Sequence, residues 1–251
     1  ELAGQVRVVG SLLYDAPGCE GVRNRSQLVV RSEDPATSIE QLRGRTVAYN
    51  SSDSQSGYNA LRSLVAPLAG DGRFFGRSIE TGRHRSSAEA VRDGRADIAS
   101  IDCISLAGFR RNLPDSVLGL RVLCETEDFT GLPLVTSLQT DDATLALLRR
   151  ALAATIADPA NASTCADLLL IGFEPLEYAA YSKHMTMRDD AFADLGDAAP
   201  AFTVENASDG GASRTVTGTF EVPRYLTGDG APGSVLNNPG DDPRPRRNGT
   251  Q

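Results

Sequence analysis

The amino-acid sequence lacks a long apolar run, a basic excess and a catalytic serine turn, and each absence excludes a class of protein. No apolar stretch reaches the roughly 18 residues that a membrane-spanning helix needs, so no direct insertion into a bilayer is expected. The formal net charge of −8 argues against a nucleic-acid partner, because an acidic surface repels phosphate polymers. No Gly-x-Ser-x-Gly segment is present to support a hydrolase of the α/β type.

Cysteine is scarce and widely spaced in the sequence. The four cysteines are Cys19, Cys103, Cys124 and Cys165. They form no Cys-x-x-Cys pair, which argues against a zinc knuckle or a thioredoxin-type motif, and neither a metal nor a cofactor is predicted. Two interpretations stay open: buried free thiols, or one or two disulfides formed in an oxidising compartment, with Cys103 and Cys124 as the first pair to test. The chain begins at Glu1 without a basic-then-apolar leader, so its residues do not themselves indicate export.

Short strand patterns alternate with helical patterns along most of the chain. Strands are predicted at residues 6–9, 27–31, 45–49, 77–81, 96–102, 120–125 and 134–135. Helical segments are predicted at residues 38–44, 58–68, 86–94, 104–112, 141–157 and 163–171. This alternation predicts an α/β fold with mostly parallel sheets flanked by helices. The Gly- and Pro-rich region from residue 194 reads as an extension, with one strand-like alternation at 214–222 and a disordered tail or linker at 237–251.

A polar, glycine-containing turn follows the strand predicted at residues 45–49 and opens a helix. The turn carries Ser54, Gln55 and Ser56. Its hydroxyls and backbone N–H groups stand where the helix dipole and unpaired amides favour an anion. A serine-rich helix start can also be a simple cap, so capping and ligand binding are both open interpretations.

A second turn follows the next strand and contains His84, one of two histidines in the chain. Together with Arg83 and Arg85, this histidine can donate charge-assisted hydrogen bonds to an oxyanion. Solvated surface charges are the alternative interpretation of the two arginines. Ser86 and Glu89 match a capping box, which predicts that the helix starts at Ser86.

Asp102 ends the strand predicted at residues 96–102. The rim formed by the carboxyl ends of the strands is where open α/β sheets bind ligands. A carboxylate at this rim can accept a hydrogen bond from a protonated oxyanion oxygen or from an amino group. The same residue also stands in a good N-cap position for the helix that follows.

Several segments occur together in the order and spacing of a known family. They are Leu42–Asn50, Ser54–Tyr58, Phe74–Phe75, Thr81–His84, Ala90–Ala99 and Asp102, with a Gly131–Pro133 turn further along. In this order they resemble the phosphate, phosphonate and phosphite substrate-binding proteins of ABC transporters, over about residues 6–181. Each segment alone is weak evidence, whereas the ordered set is specific.

The resemblance implies a type II periplasmic-binding-protein fold, in which two α/β lobes close over a small anion. It implies a first lobe made of residues 1–49 and 131–193, a second lobe made of residues 50–130, and an extension made of residues 194–251. Family chains open with further strands and helices before the point that matches Val6, so the first lobe is expected to be incomplete.

The resemblance also nominates ligand-binding residues, position by position: Ser54, Gln55, Ser56, His84 and Asp102. Family members place Ser or Thr between the two serines, and Gln55 at this position favours a different or substituted oxyanion. They also carry an aromatic residue just before the strand at residues 27–31. This chain has Asn24 there, so Tyr14 is expected to supply that wall of the pocket.

The expected function is that of the solute-binding component of an ABC importer. Such a protein is a periplasmic or extracytoplasmic monomer that presents a phosphate-, phosphite- or phosphonate-like oxyanion to a permease, and it needs no catalytic residue. Two alternatives use the same scaffold. A hydrolase or transferase would use Cys103, or would need His84 within hydrogen-bond reach of Ser54 or Ser56. A ligand-sensing domain of a signalling system would use the same pocket.

Overall fold

The computed structural model of the protein describes residues 4–69 and 72–195. The strands are β1 (Val6–Tyr14), β2 (Cys19–Glu20), β3 (Arg23–Asn24), β4 (Ser26–Arg31), β5 (Thr46–Tyr49), β6 (Arg77–Glu80), β7 (Ile98–Asp102), β8 (Leu120–Glu125), β9 (Phe129–Thr130), β10 (Pro133–Ser137) and β11 (Leu170–Glu174). The α-helices are α1 (Ala60–Val65), α2 (His84–Arg92), α3 (Cys103–Asn112), α4 (Asp142–Ala157), α5 (Ala162–Asp167) and α6 (Ser182–Leu195). A π-helical turn, Gln55–Asn59, leads into α1. Short 3-10 turns occupy Ile39–Leu42, Ala66–Leu68, Pro114–Ser116, Pro159–Asn161 and Tyr178–Tyr181.

The larger sheet has five strands in the order β6, β5, β7, β4, β8. Its core lies on both faces, because neighbouring residues of a strand point to opposite sides and β4 is apolar at each of them. Leu28 and Val30 of β4 join the cluster on one face, and Val29 joins the cluster on the other. Helix α1 contributes to the first cluster, and helices α2 and α3 contribute to the second. The sheet is therefore a middle layer between helices.

The smaller sheet has three strands in the order β10, β1, β11, and both pairings are antiparallel. Helix α4 lies against this sheet. Its Arg149 donates from Nε to the Val9 carbonyl at 2.9 Å and from Nη2 to the Val8 carbonyl at 3.0 Å. These bonds join the helix to the middle strand β1.

The two short strands β3 and β9 lie between the sheets in sequence and run side by side. Strand β3 leads into β4, β9 follows β8, and the two pair antiparallel, with Arg23 opposite Thr130 and Asn24 opposite Phe129. The chain therefore enters and leaves the five-stranded sheet through neighbouring extended segments.

The strand pairing refines the expected α/β fold and shows how the strands of residues 1–49 are divided between the sheets. The five-stranded sheet is mixed rather than mostly parallel, since β5 is parallel to β6 and β7 while β4 is antiparallel to β7 and β8, and the three-stranded sheet is antiparallel throughout. Strands β4 and β5 lie within residues 1–49, which are expected in the first lobe with residues 131–193, and they pair inside the five-stranded sheet, whereas β1 pairs with β10 and β11. The physical reason is that β4 is apolar on both faces and so needs cover on both sides. The lobe bounds stay a prediction.

Three local predictions also differ from the structure. Helix α2 begins at His84 with Arg83 as its N-cap, so Ser86 and Glu89 lie inside the helix and form no capping box. Strand β11 replaces the end of the helix predicted at residues 163–171, because Leu169 adopts a left-handed conformation with φ of 58° and ends helical geometry there. Helix α6 was not predicted at all. The segments predicted at 214–222 and 237–251, within the expected extension 194–251, lie outside the described residues.

Candidate functional site

The predicted site residues follow three neighbouring parallel strands. Strand β5 ends at Tyr49, β6 ends at Glu80 and β7 ends at Asp102. Because β5 pairs in parallel with both of the others, all three strands end at the same edge of the sheet. The serine turn, His84 and Asp102 are therefore brought to one rim from positions far apart in sequence.

The serine turn is built by local hydrogen bonds and by its contact with α2. Ser54 is the N-cap, and its Oγ accepts a hydrogen bond from the Gly57 amide at 3.0 Å. Ser56 has a different role, because its Oγ lies 3.1 Å from Nε2 of His84. Of the two serines, Ser54 is thus a cap and Ser56 reaches the second predicted turn.

Two buried serines of the sheet hold the serine turn in place. The hydroxyls of Ser26 on β4 and Ser100 on β7 both donate to the backbone carbonyl of Ser56, each at 2.8 Å. Both serines are fully buried, with 0% exposure. The orientation of Ser56 is therefore determined by two strands that are distant from it in sequence.

Gly57 is required by the close approach of Asn50 and His84. A Cβ atom at Gly57 would lie 1.8 Å from Oδ1 of Asn50 and 3.2 Å from Cε1 of His84. The same Oδ1 is buried and has no hydrogen-bond partner among the described residues. Asn50 therefore adds an unsatisfied acceptor beside Ser56 and His84.

His84 is held in a form suited to hydrogen bonding without charge. Burial lowers its pKa below the ordinary value of 6.5, although the charge of Asp102 and the backbone of Ser100 oppose this shift. Its Nδ1 is buried and makes no well-formed hydrogen bond within the described part of the chain. Arg83 and Arg85 beside it are exposed, and Nε of Arg85 donates to Glu89 at 2.9 Å. The two arginines therefore behave as surface residues.

Asp102 and Tyr14 complete the group. Oδ2 of Asp102 accepts from the Ser105 amide at 2.8 Å and caps α3. Burial raises the pKa of Tyr14, and the nearby charge of Asp102 raises it further. Tyr14 ends β1 of the smaller sheet, so a residue of that sheet lies near enough to Asp102 to feel its charge.

The side chain of Gln55 is engaged elsewhere. Its Oε1 accepts from Nδ2 of Asn59 at 2.7 Å, and its Nε2 lies 3.6 Å from Sδ of Met187 on helix α6. Asn59 also donates to the carbonyl of His184 at 3.1 Å. Gln55 thus attaches the turn to α6, and only its backbone remains at the rim.

Sequence reasoning missed four residues that shape the site: Ser26, Asn50, Gly57 and Ser100. Asn50 and Gly57 lie inside the quoted motifs, and the glycine directly after a serine pair was the available signal. Ser26 and Ser100 are strand residues whose bonds to Ser56 span 30 and 44 positions, so no local pattern marks them.

The cysteine contact in the structure involves a different pair from Cys103 and Cys124, the pair put first from the sequence. All four are free, and the sulfur closest to that of Cys103 belongs to Cys19, at 3.4 Å. Cys103 therefore faces the first residue of β2 and makes no such contact with Cys124.

Three further observations concern a cavity, metal ligands and the length of the helices. A cavity of about 400 Å³ lies between α1 and α6, lined by Ser63, Lys183 and Met187 among others, and none of the predicted site residues lines it. Within residues 4–69 and 72–195, no cluster of three or more His, Cys, Asp or Glu side chains is placed to hold a metal ion. None of the helices in these residues is both long enough and apolar enough to cross a membrane.

A family model describing the periplasmic substrate-binding proteins of phosphonate ABC transporters matches residues 15–181. The match covers more than half of the chain and includes all of the predicted site residues except Tyr14. The chain belongs to this family of substrate-binding proteins. None of the curated proteins matches the sequence.

Solved structures of low sequence identity share the fold. A binding protein component of an ABC phosphonate transporter from Pseudomonas aeruginosa, PA3383, is 18% identical, with a TM-score of 0.61 over 77% of this chain and 65% of its own. PhnD1 from Prochlorococcus marinus, solved with methylphosphonate, is 13% identical, with a TM-score of 0.62 over 73% of this chain and 70% of its own. XAC2383 from Xanthomonas citri, solved with ATP, is 19% identical, with a TM-score of 0.57 over 76% of this chain and 72% of its own. The fold is that of the type II periplasmic binding proteins.

Proposed function

We propose that the protein binds a small phosphonate- or phosphate-like oxyanion at the rim that carries Ser56, His84 and Asp102, and delivers it to an ABC-transporter permease. The 3.1 Å contact between Ser56 Oγ and His84 Nε2 carries the proposal, because it joins two helix starts at one point. The first backbone amides of each helix have no partner within the helix and point toward an anion placed there.

The charges of the rim favour an oxyanion that still carries a proton. The predicted arginines are exposed, His84 is neutral near pH 7, and Asp102 contributes a negative charge. A fully ionised ligand would therefore meet a carboxylate, whereas a protonated oxygen can donate to it. The unsatisfied Oδ1 of Asn50 offers a second acceptor for the same proton or for an amino substituent.

Closure of two lobes supplies the other wall of the site. In this proposal the three-stranded sheet with Tyr14 and the five-stranded sheet with Asp102 are the cores of the lobes, and the paired segments β3 and β9 are the hinge. Closing excludes water and strengthens each hydrogen bond to the ligand. Membership of the family supports a periplasmic location and a permease as the partner. The proposal takes the protein to act as a monomer.

A hydrolase is the second candidate, because the distance between Ser56 and His84 meets the geometric requirement for a nucleophile and its base. Its support is incomplete. In the described residues no carboxylate accepts a hydrogen bond from Nδ1 of His84, and Asp102 is used to cap α3. Binding without turnover fits these contacts better.

Isothermal titration calorimetry of the full chain with methylphosphonate, aminoethylphosphonate, phosphite, phosphate and sulfate tests the proposal. We expect heat with at least one phosphorus oxyanion and little with sulfate, which carries no proton near pH 7. Ser56→Ala and His84→Ala should each weaken binding about tenfold to a hundredfold, since each removes a hydrogen bond to a charged ligand.

The matched control is Ser63→Ala, because Ser63 lies on helix α1 away from the rim. It should bind like the wild type, and thermal melts should show that every variant is folded. Phosphorus NMR of the incubated ligand separates the two candidates. An unchanged ligand supports binding, a product that disappears in Ser56→Ala supports hydrolysis, and the absence of heat with every oxyanion on a folded sample refutes the proposal.

A further inference from the structure

We propose that Cys19 and Cys103 are a site of disulfide formation, and that the bond attaches the start of β2 to the start of α3 beside the candidate ligand site. The two sulfur atoms lie 3.4 Å apart, although the residues are 84 positions apart in sequence. Cys103 directly follows Asp102, and Cys19 begins β2, directly after the turn that leaves Tyr14. The bond would therefore link the two segments that bring these site residues to the rim.

A glycine allows the close approach of the two segments. Gly18 has φ of +94°, in the region that favours glycine, and a Cβ atom at this position would lie 2.9 Å from Cβ of Cys103. Any larger residue at Gly18 would push the turn away from the helix. The chain therefore carries the residue that a cysteine contact at this point requires.

The turn holds its place through contacts other than the sulfurs. Nε2 of Gln27 donates to the Pro17 carbonyl at 3.2 Å and to Oε1 of Glu125 at 2.8 Å, and Gln27 is 3% exposed. The amide of Arg25 donates to the Gly18 carbonyl at 2.9 Å. Because the reduced protein already places the sulfurs together, oxidation needs little rearrangement of the backbone.

The two thiols differ in access and acidity in the way that stepwise oxidation requires. Cys103 is fully buried, whereas Cys19 is partly exposed and meets an oxidant first. The hydrogen bond from Cys103 lowers the pKa of Cys19, and the same bond together with burial raises the pKa of Cys103. Cys19 is therefore the attacking thiolate and Cys103 the resolving thiol.

A low-molecular-weight disulfide such as oxidised glutathione is the oxidant, and it reacts with the two cysteines by thiol–disulfide exchange. The Cys19 thiolate attacks one glutathione sulfur, forms a mixed disulfide and releases one glutathione thiolate. The Cys103 sulfur then loses its proton, attacks the Cys19 sulfur and releases the second glutathione. Two protein thiols are oxidised by two electrons, and one glutathione disulfide is reduced to two thiols.

The bond would stabilise the fold without depending on the proposed ligand. It closes a long loop, and restraint of the unfolded chain grows with loop length. The melting temperature of the oxidised protein should rise by about 10 °C above that of the reduced protein. Among the described residues, Cys124 and Cys165 have no sulfur contact and serve as internal controls.

The full folded chain is equilibrated in oxidised and reduced glutathione, alkylated, and mapped by peptide mass spectrometry. We expect alkylation of Cys124 and Cys165 only, a peptide linked through Cys19 and Cys103, and the rise in melting temperature. The Cys124→Ser/Cys165→Ser variant should keep both the link and the rise, whereas Cys19→Ser should lose both. Three outcomes would overturn the proposal: alkylation of all four cysteines, glutathione retained on Cys19, or a link to a different cysteine. Each of them can be detected in the wild-type protein, so the test does not depend on the folding of a variant.

Discussion

Replacing Gly57 with alanine would place a methyl group where Asn50 and His84 already lie. The new Cβ would be 1.8 Å from Oδ1 and 2.8 Å from Cγ of Asn50, well inside ordinary contact distance. Gly57 is not among the residues with positive φ, so alanine meets no backbone strain there. The effect of the substitution is therefore steric and falls on the Asn50 side chain.

The magnitude follows from two opposing effects. Forcing extra volume into a packed position costs about 1–3 kcal/mol of the free energy of unfolding. Replacing glycine in a helical segment returns up to about 1 kcal/mol, because alanine restricts the unfolded chain. We expect Gly57→Ala to lose about 1–2 kcal/mol of stability and to bind the ligand more weakly, since Asn50 and His84 must move.

Urea unfolding measured by circular dichroism tests this prediction. Gly108→Ala is the matched control, because Gly108 lies in helix α3 with nothing within 4 Å of the new Cβ atom, and it should be as stable as the wild type or more so. The double variant Asn50→Ala/Gly57→Ala should recover most of the lost stability. If Gly57→Ala is as stable as the wild type, or if removing Asn50 brings no recovery, the steric explanation is refuted.

Two further predictions concern pH and a buried ion pair. Burial lowers the pKa of His84 and His184 below 6.5, so the unfolded chain binds protons more readily in mild acid, and the free energy of unfolding should fall as the pH drops below about 6.5. Replacing both histidines with glutamine should flatten this decline in urea unfolding between pH 7.5 and 5. The buried ion pair joins Oδ2 of Asp34 to Nη1 of Arg45 at 2.6 Å, and the Asp34 side chain is 4% exposed. The substitution Asp34→Asn should lower the free energy of unfolding by about 2 kcal/mol in the same assay. Glu89→Gln, in an exposed helical pair, should cost less than about 0.5 kcal/mol.

Contrary results would point to specific errors in these two predictions. Stability that is unchanged from pH 7.5 to 5 would mean that the histidines keep ordinary pKa values in the folded protein. An equal effect of Asp34→Asn and Glu89→Gln would mean that burial adds nothing to the Asp34 pair.

Local patterns were good predictors where a segment carries its own signals. Strand β8 has the predicted bounds, and α4 begins behind its Asp141 cap as the acidic first turn indicated. Strand β11 and helix α6 were missed because their identity depends on partners. Strand β11 is a strand because β1 offers it an edge, and α6 is anchored by the Asn59 amide at the His184 carbonyl.

The family, the strand and turn order around the serine pair, and the residues that gather at one sheet edge can be read from the sequence alone, because that information is local or ordered along the chain. The contacts between side chains cannot be read in this way. The fold places Ser54 as a cap and Ser56 beside His84, turns Gln55 toward Met187, and brings Cys103 to Cys19. These outcomes depend on side chains brought together across dozens of positions by sheet pairing, and the direction of a side chain at such a meeting point is decided by packing rather than by its neighbours in sequence.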